Sequence, residues 1–196
     1  MTVHKEITRD DILDPESYAR DRREHRQTFR EIKQHRRVDV GPYVSFYFEN
    51  RATMWHQIHE MLHIERGGEE QIADELDAYN PLVPQGRNLT CTMMIQIEDP
   101  VRRDAMLRRL GWIDEKVYLV VGDRRIAARP LQDAERNTSD GKTSSVHFLS
   151  FPFTDEEVAS FRDASVKASL DIDHESYGHS AVLNAATRQS LAADFD

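Results

Sequence analysis

Apolar positions along this chain change period several times, and each change predicts an element. Between residues 15 and 36 they recur at helical spacing, with Tyr18, His25, Phe29 and Ile32 on one stripe. Asp14-Pro15 supplies an N-cap and a proline at the first helical position, so a long helix is predicted over about 15–36. Val38–Phe48 reads as a strand interrupted by Gly41-Pro42. Arg51–Arg66 returns to helical spacing and is stopped by Gly67-Gly68; a third helix over about Glu69–Tyr79 ends at Asn80-Pro81. In Leu89–Glu98 the period becomes two, placing Leu89, Cys91, Met93, Ile95 and Ile97 on one face of a strand. Pro100–Leu110 is helical and Gly111 caps it. Lys116–Val121 and Arg125–Ala128 flank Gly122-Asp123 as a hairpin. Residues 133–143 read as a polar loop, and Ser145–Phe153 as a strand. Thr154-Asp155-Glu156-Glu157 resembles a capping box opening a helix to about Ala168. A short extended piece, Leu170–Asp173, precedes a last helix near Ser180–Ala193. Strands and helices mix without strict alternation. The pattern therefore predicts one α+β domain over residues 1–196, a mainly antiparallel sheet covered by several helices.

Composition narrows the class. With 39% hydrophobic and 31% charged residues, the 196-residue chain can bury a core. It contains no run of 18 apolar residues, and its opening residues lack the apolar segment of a secretory signal. One cysteine, Cys91, excludes an internal disulfide and fits a reducing compartment. These features lead to the expectation of a cytoplasmic protein. Net charge is −9, yet residues 20–37 hold eight basic and three acidic side chains. A basic helix can track phosphates, but an acidic whole disfavours nucleic acid, so the bland reading of a solvated helix is preferred. Trp55 and Trp112 could each serve an interface; the sequence sets no oligomeric state.

The one enzymatic motif is His59-Glu60-Met61-Leu62-His63, an HExxH string. On a helix its two histidines share a face, and in zinc peptidases they bind Zn²⁺ while the glutamate polarises a bound water. Here the helical wheel gathers Met54, Trp55, Ile58, Met61 and Leu62 into a core arc. His56, His59 and His63 fall on roughly the opposite side, solvated unless another element covers them. A third ligand is not evident: the offsets a metzincin needs hold Arg66 and Glu69, Glu75 is only a numerical candidate, and His4, His174 and His179 cannot be placed. Zinc at His59 and His63, with Glu60 as general base of a hydrolase, is therefore the alternative reading, and coincidence the preferred one.

Two further polar residues sit on apolar faces. Glu65 falls within the core arc, so it either leans into the core or reaches water where the helix frays. His147 shares a strand face with Leu149, Phe151 and Phe153, the pattern of a satisfied core histidine or of a partner for Glu65 or Glu60. Cys91 shares its face with Leu89, Met93 and Ile95, as an inert core thiol would.

Taken together, Phe48-Glu49-Asn50, Gln57-Ile58, Glu60-Met61-Leu62, Ile64-Glu65-Arg66, Tyr79-Asn80-Pro81-Leu82 with Pro84, Val146-His147-Phe148-Leu149 with Phe151, and Asp173-His174 with Tyr177 resemble the DUF3501 family of bacterial proteins. The resemblance covers nearly the whole chain. It implies that Glu49, Glu60, Glu65, His147, His174 and Tyr177 stand at family positions, with a polar cluster expected from Glu60, Glu65, His147 and His174. The family pattern usually has Gln where this chain has His59, and commonly Arg at His63, so the would-be zinc ligands depart from it. The resemblance also implies a redox-stress setting, with rubrerythrin-like or iron–sulfur proteins as partners. One cysteine cannot itself hold an iron–sulfur cluster, and the chain lacks the paired Glu-x-x-His motifs of di-iron bundles. The resulting expectation is an accessory or binding protein of unestablished activity.

Overall fold

The computed structural model describes residues 5–131 and 136–196. Helix α1 (Pro15–Gln34) begins as expected, with the Asp14 carboxylate accepting from the Ser17 N–H at 2.9 Å. β1 (Arg37–Val40) and β2 (Val44–Glu49) form a hairpin across Gly41-Pro42. The Asn50 and Thr53 side chains reciprocally cap α2 (Arg51–Glu65), which stops where Arg66 turns left-handed at φ 56°. Then follow α3 (Gly68–Tyr79), β3 (Asn88–Ile95), α4 (Pro100–Arg109), β4 (Val117–Val121), β5 (Arg124–Ala127), β6 (Arg129–Pro130), β7 (Val146–Pro152), α5 (Asp155–Arg162), β8 (Ala168–His174), β9 (Tyr177–Val182) and α6 (Ala185–Ala192).

The fold is α+β, with two antiparallel sheets. One has the order β1-β2-β3-β7-β6 and the other β5-β4-β8-β9. The chain passes from one sheet to the other at Ala128, between β5 and β6, where a single extended run bends. Period-two alternation sends Val44, Phe46, Phe48, Leu89, Cys91, Met93, Leu149 and Phe151 inward against Val117, Leu119, Leu170 and Ile172 of the second sheet. Cys91 lies in this core, as expected. A second cluster lies outside the first sheet, where Met54 and Ile58 of α2 join Ile7, Ile12, Ile72, Leu82 and Val83.

At the open side of the two sheets Tyr177 acts as a clasp. Its hydroxyl accepts from the N–H groups of Tyr43 (2.9 Å) and Val44 (3.2 Å) and donates to the Val40 carbonyl (2.8 Å). Gly41 is held close beneath it: at φ +68° a Cβ would stand 2.6 Å from His179 and 2.7 Å from the Tyr177 hydroxyl. Arg36, 2% exposed, forms a second clasp. Its guanidinium donates to the carbonyls of Phe48, Glu49 and Ser190 and pairs with Asp194, joining β2 to α6 and the residues after it.

Several boundaries differ from the sequence reading. The helix expected to reach Ala168 ends at Arg162, because Ala168, Leu170 and Ile172 are needed as the inward face of β8 against β4. Ser180–Val182, read as helix, extends β9, and the last helix begins only after Asn184 caps it. Of the polar loop read over 133–143, residues 133–135 lie outside the described residues, as does His4; Asn137 and Thr143 bridge within the remainder. Among the described residues no helix is long and apolar enough to cross a membrane.

Candidate functional site

The histidine stripe does not face away from the protein. Helix α1 covers it, so α2 is buried on both sides: Met54 and Ile58 against the sheet, His56 (8% exposed) and His59 (2%) beneath α1. Of the two outcomes the wheel leaves open, a solvated stripe or a covered one, the structure has the covered one. Both nitrogens of His59 are engaged. The Leu13 N–H donates to Nε2 at 3.0 Å, which places the lone pair there, and Nδ1 donates to the Trp55 carbonyl at 2.7 Å. The lone pair that would bind a metal is thus directed at a backbone amide. Glu60 is held bidentately by Arg22, at 2.8 Å to each oxygen, and accepts from the Tyr18 hydroxyl at 2.8 Å. The Arg22 hydrogen bonds bring its carboxyl down to about 2, too weak a base to take a proton from water. Among the described residues no three His, Cys, Asp or Glu side chains are grouped to hold a metal ion. This geometry gives the zinc reading no support. Half-buried His63 lines a mostly apolar cavity of about 530 Å³ between the N-terminal segment, α1, α2 and α3.

The expected cluster of Glu60, Glu65, His147 and His174 does not form, because the first sheet separates its members. Glu60 and Glu65 lie on α2 outside that sheet. Helix α2 persists through Glu65, yet this residue is exposed and accepts from Gln71 at 2.9 Å. His147 points between the sheets, 1% exposed. Its Nε2 donates to the Ser144 carbonyl at 2.9 Å, and its Nδ1 faces Asp114, itself fully buried, at 3.9 Å. Burial holds His147 below the ordinary histidine range, opposed by Asp114. His174 hydrogen-bonds Gly111 and receives the Ser176 N–H, a turn-closing role; Tyr177 is the clasp described above.

Glu49 is different. It stands at the end of β2 on the outer face of the first sheet, 7% exposed, at the floor of an open cavity of about 400 Å³. The walls are Tyr47, Met94, Val146 and Phe148 from the sheet, Met54 and Gln57 from α2, Tyr79 and Leu82 after α3, and Lys33 and Arg36 from α1 and its end. Outer-face alternation explains the convergence: Glu49, Thr92 and Phe148 occupy outward positions on β2, β3 and β7. Glu49 accepts from the Thr53 hydroxyl at 2.7 Å and, weakly, from Thr92 at 3.3 Å. Burial raises its pKa, and the hydroxyls together with Lys33 and Arg36 oppose that rise. Among the described residues no cation pairs with its carboxyl, although Arg36 donates to its backbone carbonyl at 2.9 Å. The carboxyl therefore keeps acceptor capacity directed toward the cavity.

Sequence reasoning singled out Glu49 without its surroundings. Thr90 and Thr92, polar residues alternating within an apolar strand, were the available signal for a polar outer face. Lys33 and Tyr79 carried none, because only tertiary packing brings α1 and the end of α3 to that face. Asp114, the counterpart of His147, was signalled only by the need of a buried histidine for company. Of the two tryptophans, Trp55 is half-buried and donates to the Asp11 carbonyl at 2.8 Å, whereas Trp112 is 51% exposed.

Comparison with known proteins agrees with the resemblance. A family model described as "Protein of unknown function (DUF3501)" matches residues 6–195. The chain is similar over 100% of both lengths, with 40% identity and a TM-score of 0.89, to a crystal structure of a novel protein of unknown function from Burkholderia pseudomallei K96243. No curated protein matches it. The full-length family match and the shared fold establish that this chain belongs to the DUF3501 family.

Proposed function

We propose that this protein binds a small molecule in the Glu49 cavity and serves as a binding or accessory protein. The observation that carries this reading is the carboxyl of a residue 7% exposed, met among the described residues only by two hydroxyls, at the floor of a cavity open to solvent. A buried acid without a cation costs free energy, and a ligand donor would offset it. The cavity size falls within the range of small-molecule sites, about 300–1,000 Å³. Its walls also have the character of such sites, largely apolar and aromatic with a few polar groups. The zinc-hydrolase alternative is not advanced, since His59 and Glu60 are already committed to other partners. A redox-stress setting with rubrerythrin-like or iron–sulfur partners rests on the resemblance alone, and the cavity reading does not require it.

The cavity contains its own reporters. Met54 and Met94 line it, while Met93 points into the core between the sheets. Protein labelled at the methionine methyl groups is titrated with a diverse fragment library. Hits are expected to move Met54 and Met94 and leave Met93 in place, and to vanish in Val146→Trp, which fills the cavity from its rim. A library that never moves Met54 or Met94, or hits that survive the filled cavity, would sink the proposal.

A further inference from the structure

We infer that the occupant of the Glu49 cavity is an α-amino acid with a large apolar side chain, an inference that rests on the binding role proposed above. An acid and a base line one cavity without meeting. Glu49 is at the floor and Lys33, on α1, at the wall. They are close enough for Lys33 to favour the ionised carboxyl, yet no ion pair joins them, and Lys33 has no other partner among the described residues. Arg36 contributes no free charge, since Asp194 neutralises it and its other donors are held by carbonyls.

A ligand of net charge would leave one of the two uncompensated. An amine alone would satisfy Glu49 but sit beside the Lys33 ammonium; a carboxylate alone would satisfy Lys33 and face Glu49. A zwitterion answers both, with its ammonium on the floor carboxylate and its carboxylate on the wall ammonium. Each contact is a charge-assisted hydrogen bond, the stronger kind. The remaining surface is largely apolar: Met54, Leu82, Met94 and Phe148 stand beside Gln57 and the Tyr47 and Tyr79 rings. Two of these are methionines, whose flexible thioethers adapt to side chains of differing shape. A small or polar side chain would leave that surface wet.

The test uses L-phenylalanine, 2-phenylethylamine, which lacks the carboxylate, and 3-phenylpropanoate, which lacks the ammonium. Each is titrated into the full chain by calorimetry, with the methionine methyl spectrum locating the site. L-phenylalanine is expected to move Met54 and Met94 and to bind at least tenfold more tightly than either analogue. Glu49→Gln, which keeps the shape and the Thr53 contact, should abolish the preference over 3-phenylpropanoate. Lys33→Met should abolish the preference over 2-phenylethylamine. If an analogue binds in the cavity as well as the amino acid, the zwitterion inference is overturned and the binding role stands. If none of the three moves Met54 and Met94 while library fragments do, the outcome is the same. If library and probes alike leave both methyls unmoved, the binding role falls as well. The wild-type comparison decides even if a variant fails to fold.

Discussion

His56 makes a sharp prediction about acid stability. Its ring lies beneath α1, 8% exposed, 4.4 Å from the Phe29 ring, and neither nitrogen has a hydrogen-bond partner among the described residues. Lys33 and His25 face it from α1, Glu60 and His59 from α2. Burial, then Lys33, bring its pKa down from 6.5 to about 4, against the opposing pull of Glu60. The folded state therefore keeps His56 neutral, while the unfolded chain takes up a proton at the ordinary value. Stability from this difference is fully present above the unfolded pKa of 6.5 and is lost as pH falls toward 4. From about pH 7 to about pH 5 the loss is about 2 kcal/mol, and below the folded pKa it saturates near 3 kcal/mol. Urea unfolding of wild type and His56→Leu at both pH values isolates the effect. Buried His59, whose pKa is lowered by the same cause, is common to both proteins and cancels. The variant should lose about 2 kcal/mol less than wild type on acidification. Equal losses would refute the assignment of a buried, neutral, unpaired His56.

The other predictions concern the two clasps and the HExxH string. Arg36→Met strands the Asp194 carboxylate at 7% side-chain exposure and should cost about 3–5 kcal/mol in thermal or urea unfolding. Adding Asp194→Leu should restore part of that loss, and a double variant worse than the single one would contradict the pairing. Tyr177→Phe removes the acceptor of two backbone N–H groups and the donor to Val40, with an expected cost of about 1–3 kcal/mol. His59→Leu breaks the bond from Leu13 and should cost a similar ~1–3 kcal/mol, identical with and without a chelator. A chelator that lowers the wild-type midpoint and spares the variant would instead revive metal binding at His59.

Much of the architecture was legible in the sequence because period-two alternation in 89–98 and 145–153 can be satisfied only by strands with one buried face. Capping chemistry was equally readable: Asp14-Pro15, and the Thr154-to-Glu157 box, start helices where expected. The failures share one cause. A wheel or an alternation pattern assumes one core, whereas α2 is packed from both sides, so the wheel alone leaves open whether its histidines meet water or a covering element. The same limit applies to β9. Its burial is slight along Gly178–Ser180, and its polar residues carry little periodic signal until β8 stands beside them. Glu49 was recognisable through the family resemblance, but its chemistry depends on Lys33, Thr53 and Thr92, which lie 4 to 43 residues away. Distance along the chain hid the site, since nothing local indicates which helix will roof which strand.

The Arg36 clasp also constrains the order in which the molecule assembles. Arg36 precedes β1, yet its partner Asp194 is 158 residues further along. Closing so long a loop requires an entropy loss before the contact returns any stabilisation. The β1–β2 hairpin can form locally, but with α6 undocked it presents an arginine whose acceptors at Ser190 and Asp194 have not arrived. Completion of the first sheet should therefore be a late folding event, gated by the docking of α6. During synthesis this would leave the early sheet waiting until Asp194 has been made. Variants of Arg36 should then accelerate unfolding far more than they slow folding, which identifies the clasp as a determinant of how long the native state persists.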